Sequence, residues 1–131
     1  MEPVRDGRAM VAGMRPELRP GRWVFAASEE PGLVAQALGS FREAEGMSLI
    51  LPVEVAEGAG LPVEPVMRQI TLGVFSALDG VGLTAAVAGA LAGRGIACNM
   101  VAALRHDHAF VPEARAEEAL EVLRALSAGA G

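Results

Sequence analysis

The chain has 131 residues, of which 52% are hydrophobic and 4% aromatic, so it forms one compact unit or two small units with a largely aliphatic core. No apolar run reaches about 18 residues, charges interrupt the N-terminal segment, and Cys98 is the only cysteine, so we expect a cytoplasmic protein without a membrane span, secretory signal or disulfide. The net charge is −5 and the eleven basic residues, all arginines, are scattered, which argues against nucleic-acid binding.

In the first half of the chain, the apolar pattern predicts short strands and one long helix. From Pro31 to Gly46, apolar residues recur at the spacing of one helix face, and proline is tolerated in the first turn of a helix. A continuous apolar run before Pro52 is typical of a buried strand. The predicted elements are a short helix near residues 10–14, a strand at 22–27, a helix at 31–46, a strand at 47–51 and a short helix or turn at 53–61.

The second half predicts the order strand, helix, strand, strand, helix. Ile70, Leu72 and Val74 alternate with more polar residues, as in a strand with one core face. The predicted elements after this strand are a helix from residue 83 to 92, strands at 96–104 and 107–111, and a helix opened by Pro112. This order favours an α+β fold in which an antiparallel sheet has its helices packed on one face. A fourth strand is missing from this half, and we expect the first half to supply it.

An internal repeat relates the two halves. Residues 23–43 and 73–93 align without a gap and share seven identical positions out of 21, whereas about two matches are expected by chance in a chain so rich in alanine and glycine. Each copy is predicted to be a strand, a glycine-bearing turn and a helix. The repeat therefore indicates two related units, with related turns.

Two short segments resemble sequence signatures of ACT domains. Residues 91–100, LAGRGIACNM, resemble the helix-to-strand signature in which a Gly-Ile pair precedes a strand carrying an asparagine. Residues 79–84, DGVGLT, resemble the loop between the first strand and first helix of that domain. In addition, residues 14–25 and 106–112 resemble a family of small bacterial proteins with tandem ACT-like halves.

The resemblance implies a fold, a division of the chain and a class of function. It implies a ferredoxin-like (ACT-like) fold in tandem halves, with a degenerate half at residues 10–64, an ACT domain at 65–127 and a tail at 128–131. It also implies a non-catalytic regulatory protein that binds a small molecule, such as an amino acid, and needs no cofactor. The alternative is a ligand-free interaction or structural module that forms a homodimer through its sheet edges.

The loop at residues 79–84 is the predicted ligand site. Its glycines allow a sharp turn, and the helix that follows presents free backbone N–H groups, which attract a carboxylate. Asp79 would accept an ammonium group or simply cap the helix, and the whole loop would otherwise be an ordinary strand-to-helix turn. The ligand-binding residues that this hypothesis names are Asp79, Gly80, Val81, Gly82, Leu83 and Thr84.

Asn99 and the trio of His106, Asp107 and His108 are the other candidates. Asn99 stands in an apolar strand, so we expect it to be buried and hydrogen-bonded, either to a ligand or to the neighbouring loop. Alternation places His106 and His108 on one strand face and Asp107 on the other. Two such histidines can ligate a metal, but no convincing further ligand is present, so we favour a polar turn or interface contact and predict no metal site.

Overall fold

A computed structural model describes residues 2–130, and its contacts divide the chain into two compact units. The continuous unit is Gly21–Met67. The split unit combines the residues up to Pro20 with those from Arg68 onward. The division into halves at 10–64 and 65–127 stays a prediction, because the compact units of the fold follow different boundaries.

The described residues form seven strands and five α-helices. The strands are β1 (Pro16–Leu18), β2 (Trp23–Ala27), β3 (Gly39–Glu43), β4 (Gly46–Pro52), β5 (Met67–Leu72), β6 (Asn99–Ala102) and β7 (Asp107–Pro112). The α-helices are α1 (Gly7–Ala12), α2 (Pro31–Gln36), α3 (Val53–Gly58), α4 (Leu83–Ala92) and α5 (Ala116–Ala130), the last preceded by a 3-10 turn at Glu113–Arg115. None of the helices in residues 2–130 has the length and apolar character of a membrane span.

The continuous unit has the element order β2, α2, β3, β4, α3. Its central strand, β4, pairs antiparallel with both β2 and β3. One side of this three-stranded sheet carries a small apolar core shared with α3, made by Val24, Leu49, Leu51, Val53 and Ala56. The strands expected near residues 22–27 and 47–51 are confirmed, since each is an apolar run that fills a sheet position.

The long helix expected at residues 31–46 is wrong. α2 ends at Gln36, and Gly39–Glu43 is strand β3, which pairs with β4 through a two-residue turn before Gly46. Gly46 has a φ of +134°, a conformation that favours glycine. Phe41, one of the apolar residues at the helical spacing, is 73% exposed. Pairing with a neighbouring strand outweighs the local helical spacing, because propensity is a weak guide beside tertiary contacts.

The split unit has the order β5, α4, β6, β7, α5 and takes its fourth strand from the N-terminal segment. β1 pairs antiparallel with β5, with Glu17 opposite Thr71, so the expectation that the first half supplies the missing strand is confirmed. On the other side of β5, β7 lies between β5 and β6. α1 packs against α4 and α5, so this α+β unit has helices on one face of its sheet, as predicted.

The core of the split unit draws on both of its chain segments. α1 and the residues after it contribute Met10, Val11 and Met14, and β5 contributes Ile70 and Leu72. The helices contribute Leu83, Val87, Leu91, Leu120 and Leu123, and the cluster also includes Val74, Ile96 and Val111. Both α4 and α5, at the positions where the sequence predicts helices, thus bury a stripe of apolar side chains in this core.

The 50-residue register of the repeat is wrong, although both units share one element order. Residues 73–77 follow the end of β5, whereas residues 23–27 are β2. The cause is loop length: residues 73–82 separate β5 from α4, while only residues 28–30 separate β2 from α2. An alignment without gaps therefore sets strands beside loops, and several of its identities reflect shared alanine and glycine composition.

The end of the chain is helical as far as it is described. Residues 128–130, expected to be a tail, form the last turn of α5, and Gly131 lies outside the described residues. The hydroxyl of Ser127 donates a hydrogen bond to the carbonyl oxygen of Ala12 at 2.9 Å. This contact joins the last turns of α5 to the end of α1 within the split unit.

Candidate functional site

The loop between β5 and α4 lies against the N-terminal segment. Val4 and Ser76 form an isolated parallel bridge. The N–H of Val4 donates to the oxygen of Phe75 at 2.7 Å, and the N–H of Ala77 donates to the oxygen of Val4 at 2.8 Å. These bonds hold the middle of the loop beside the approach to α1, so the loop's shape depends on residues more than 70 positions away in sequence.

A cavity of about 140 Å³ opens between this loop, the start of α4 and the β6–β7 hairpin. The hairpin contributes Ala102 and Asp107, and α1 contributes Met10. The remaining lining residues belong to the loop and the start of α4, and they are Ser76, Ala77, Leu78, Gly80, Gly82, Leu83 and Thr84. Four of the predicted site residues, Gly80, Gly82, Leu83 and Thr84, therefore share one cavity.

The start of α4 has the backbone geometry that the sequence predicted. Gly82 is the N-cap residue with a φ of +117°, and no side chain caps the helix. Its oxygen accepts from the N–H of Ala86 at 3.0 Å, while the N–H of Gly80 donates to Ala77 at 3.0 Å to close a tight turn. Because side chains do not cap the first turn, its N–H groups are suited to an acceptor in the cavity.

Asp79 and Val81 point to solvent instead of lining the cavity. The side chain of Asp79 is 74% exposed and forms an ion pair with Arg5 at 3.2 Å. Because Gly82 is the N-cap of α4 and has no side chain, the alternative in which Asp79 caps the helix is wrong. Val81 is 81% exposed. Two of the six loop residues are thus at the rim of the site.

Asn99 lies in a strand as predicted, but the expectation that it is buried is wrong. It is the first residue of β6, lies opposite Phe110 of β7 and is exposed. The apolar run that begins at Ile96 becomes a strand only at Asn99, so the buried position is Ile96, three residues earlier. Asn99 is not among the residues that line the cavity.

Two polar residues that the sequence did not single out as ligand contacts meet inside the cavity. Ser76 is only 7% exposed, and its hydroxyl donates to Oδ2 of Asp107 at 3.3 Å. Asp107 does project away from the face of His108, as strand alternation predicted. Its pairing with Ser76 spans 31 positions of sequence, so no local motif announced it.

The two histidines are anchored to different partners. Nδ1 of His108 lies 3.0 Å from the Thr71 hydroxyl and 3.1 Å from the Gln69 amide nitrogen. Nδ1 of His106 lies 3.4 Å from the carbonyl oxygen of Val74. Within residues 2–130, no group of three or more His, Cys, Asp or Glu side chains is arranged to hold a metal ion.

We expect His108 to make the stability of the protein depend on pH. Burial lowers its pKa, the charges of His106 and Arg19 lower it further, and Asp107 acts in the opposite direction. Between this lowered pKa and the ordinary value of 6.5, the unfolded chain binds more protons, so the free energy of unfolding falls as the pH falls through about 6.5. Below the folded pKa this loss is complete.

Urea unfolding at about pH 7.5 and about pH 5.0 measures this effect. His108→Gln keeps a hydrogen-bonding side chain but cannot be protonated in this range, so we expect it to lose less stability on acidification than the natural protein. Equal losses in the two proteins would show that His108 does not contribute.

Sequence-family models match both halves of the chain. A model described as ACT domain matches residues 3–68, and a second model with the same description matches residues 66–125. Together they cover nearly all of the chain. No match was found among curated proteins.

Solved structures with the same fold include bacterial proteins of several kinds. A Vibrio cholerae protein of unknown function, described as a possible transport protein, is 37% identical, covers 92% of this chain and 94% of its own, and superposes with a TM-score of 0.82. An Agrobacterium tumefaciens protein is 19% identical, with coverages of 86% and 87% and a TM-score of 0.64. The ligand-free regulatory subunit of aspartate kinase from Thermus thermophilus is 12% identical, with coverages of 87% and 97% and a TM-score of 0.63.

Proposed function

Because the chain belongs to the ACT-domain family, we propose that it is a non-catalytic regulatory protein that binds an amino acid in the cavity at the start of α4. ACT domains generally form regulatory modules that bind small molecules, often amino acids. The observation that carries the proposal is the cavity itself, which opens onto a helix start whose N-cap is glycine. The presence of a single cysteine, Cys98, is in keeping with a cytoplasmic location.

The start of α4 is proposed to receive the carboxylate of the ligand. The first N–H groups of a helix carry a partial positive charge, and together they form a favourable site for an anion. Gly82 leaves this end uncovered by any side chain, and Leu83 and Thr84 line the cavity beside it. In this proposal the contacts come from Gly80, Gly82, Leu83 and Thr84, while Asp79, Val81 and Asn99 remain outside because they do not line the cavity.

A thermal-stability screen with the twenty common amino acids tests this function. A ligand that binds only the folded protein raises the free energy of unfolding, by about 2.7 kcal/mol at a concentration of 100 times its Kd. We expect at least one amino acid to raise the melting temperature and Gly82→Val to abolish that rise. The backbone at φ +117° disfavours valine, and the added Cβ would meet the Cα of Gly7 at 3.5 Å, so the helix start that is proposed to hold the carboxylate would have to change conformation.

Gly32→Val is the matched control, because Gly32 lies in the first turn of α2, where an added Cβ meets only the Glu30 carboxylate at 3.9 Å. It should leave binding unchanged. Circular dichroism and unliganded melting must accompany the calorimetry, so that a folding defect of Gly82→Val is recognised. Undiminished binding by a folded Gly82→Val protein would refute the location of the site.

The second candidate function is association of two copies through a sheet edge, without a small ligand. It is favoured by β3, the outer strand of the continuous unit's sheet, which exposes the aromatic ring of Phe41. Unpaired outer strands are ready to pair with another chain. This function would be favoured over ligand binding by two results together. The mass in solution would rise from that of a monomer to that of a dimer as the protein concentration increases, and no amino acid would change the melting temperature.

A further inference from the structure

The charge inside the cavity is negative. Among the described residues that line it, Asp107 is the one ionisable side chain, and the others are apolar or carry neutral polar groups. A partly buried carboxylate is costly unless a cation or hydrogen-bond donors satisfy it. Of the arginines near this loop, Arg5 pairs with Asp79 outside the cavity. The lining is therefore complementary to a ligand that carries a positively charged group.

The contact between Ser76 and Asp107 makes this corner of the cavity an acceptor of hydrogen bonds. The Ser76 hydroxyl donates its single proton to Oδ2 of Asp107 at 3.3 Å. With its proton committed, the Ser76 oxygen offers lone pairs only. An ionised carboxylate can accept about four hydrogen bonds, so Asp107 keeps acceptor capacity beyond the bond from Ser76. Such a corner suits a group with several N–H donors.

The rest of the lining sets the size and polarity of the ligand. Met10, Ala77, Leu78, Leu83 and Ala102 are apolar. The cavity volume of about 140 Å³ is close to that of an engineered apolar cavity of about 150 Å³ that holds one benzene molecule. A ligand body of a few aliphatic carbons fits this space, whereas a large aromatic side chain would have to protrude from it.

We propose that Asp107, positioned by Ser76, is the counter-ion for the primary ammonium group of the ligand, so that the cavity selects small aliphatic amino acids. This inference rests on the proposed function and narrows it to one ligand class. It also transfers the ammonium contact from Asp79, the candidate in the sequence, to a carboxylate 28 positions later in the chain. Asp79 is exposed and already holds Arg5, so it is the natural comparison residue.

The test compares ligands that differ only in the ammonium group. Glycine, L-alanine, L-valine and L-leucine are each titrated by calorimetry beside the 2-hydroxy acid of the same skeleton, namely glycolate, L-lactate, L-2-hydroxy-3-methylbutanoate and L-2-hydroxy-4-methylpentanoate. We expect at least one amino acid to bind roughly ten- to a hundredfold more tightly than its hydroxy acid. The hydroxy acid lacks the ammonium group and therefore loses the charge-assisted hydrogen bond to Asp107. This comparison needs no variant.

Asp107→Asn then locates the effect. It preserves the shape of the side chain and its capacity to accept from Ser76, and we expect it to bring the amino acid and its hydroxy acid to nearly equal affinity. Asp79→Asn should keep the full preference for the amino acid. Melting curves without ligand confirm that both variants are folded.

The outcomes separate this inference from the function on which it rests. Equal binding of amino acid and hydroxy acid, or a preference that survives Asp107→Asn, overturns the role of Asp107 and leaves amino-acid binding intact. If only large amino acids bind, the selection for small aliphatic ligands is overturned, while the proposed function of amino-acid binding still stands. Absence of binding by all twenty amino acids overturns both.

Discussion

Met14→Ala is expected to lower the free energy of unfolding by about 2–5 kcal/mol, the usual cost of truncating a buried methionine to alanine. Met14 is completely buried in the core of the split unit, although it precedes β5 by more than 50 residues. Its removal would leave a cavity beside side chains of β5, α4 and α5, whose packing cannot fully collapse to fill it. Urea unfolding followed by circular dichroism measures the change.

Leu104→Ala is the control for this truncation. Leu104 lies in the turn between β6 and β7 and is 65% exposed, so its replacement should change the free energy of unfolding by no more than about 0.5 kcal/mol. If Met14→Ala were as mild as this control, the residues up to Pro20 would not belong to the core of the split unit.

Gly7→Ala is expected to destabilise the protein through a backbone collision. Gly7 is the first residue of α1, and a Cβ at this position would overlap the carbonyl oxygen of Val81. Overpacking of this kind costs about 1–3 kcal/mol, and the obstacle is backbone, which cannot rotate away as a side chain can. The better helix propensity of alanine offsets only part of this cost.

Gly89→Ala provides the opposite result in the same unit. Gly89 lies inside α4 with open space where its Cβ would stand, so alanine should stabilise the protein by about 0.5–1 kcal/mol. Thermal melting of the two variants beside the natural protein should show a lower melting temperature for Gly7→Ala and a higher one for Gly89→Ala. A Gly7→Ala protein as stable as Gly89→Ala would mean that α1 does not approach Val81 closely.

Local patterns in the sequence located the elements that have one dominant signal. β4 contains an apolar run at residues 49–51 and β7 one at residues 109–111, and α4 has both a buried stripe and a glycine with positive φ before it. In each case the burial of apolar side chains and the backbone requirement agree, so no distant contact is needed to identify the element. The resemblance to ACT domains gave the fold for the same reason, since its signatures lie at the ends of α4 and β6.

Features that depend on contacts between distant residues could not be predicted from the sequence. β3 forms because β4 offers it a hydrogen-bonding partner, and nothing within Gly39–Glu43 itself excludes a helix. The cavity needs Met10, Ser76 and Asp107 from three separate parts of the chain. Asn99 is exposed because the strand begins later than its apolar run, a boundary that periodicity does not define well.

Because the split unit is built from two distant chain segments, its core can be completed only late in translation. Leu123, a core residue of α5, lies 103 residues after Pro20, and at about 5–20 residues per second the ribosome needs roughly 5–20 seconds to add them. The continuous unit, complete at Met67, can pair its strands during this delay. Met10 and Met14 meanwhile lack the α5 side chains of their core, so this apolar N-terminal surface stays exposed, within reach of chaperones and proteases, until the last helix emerges.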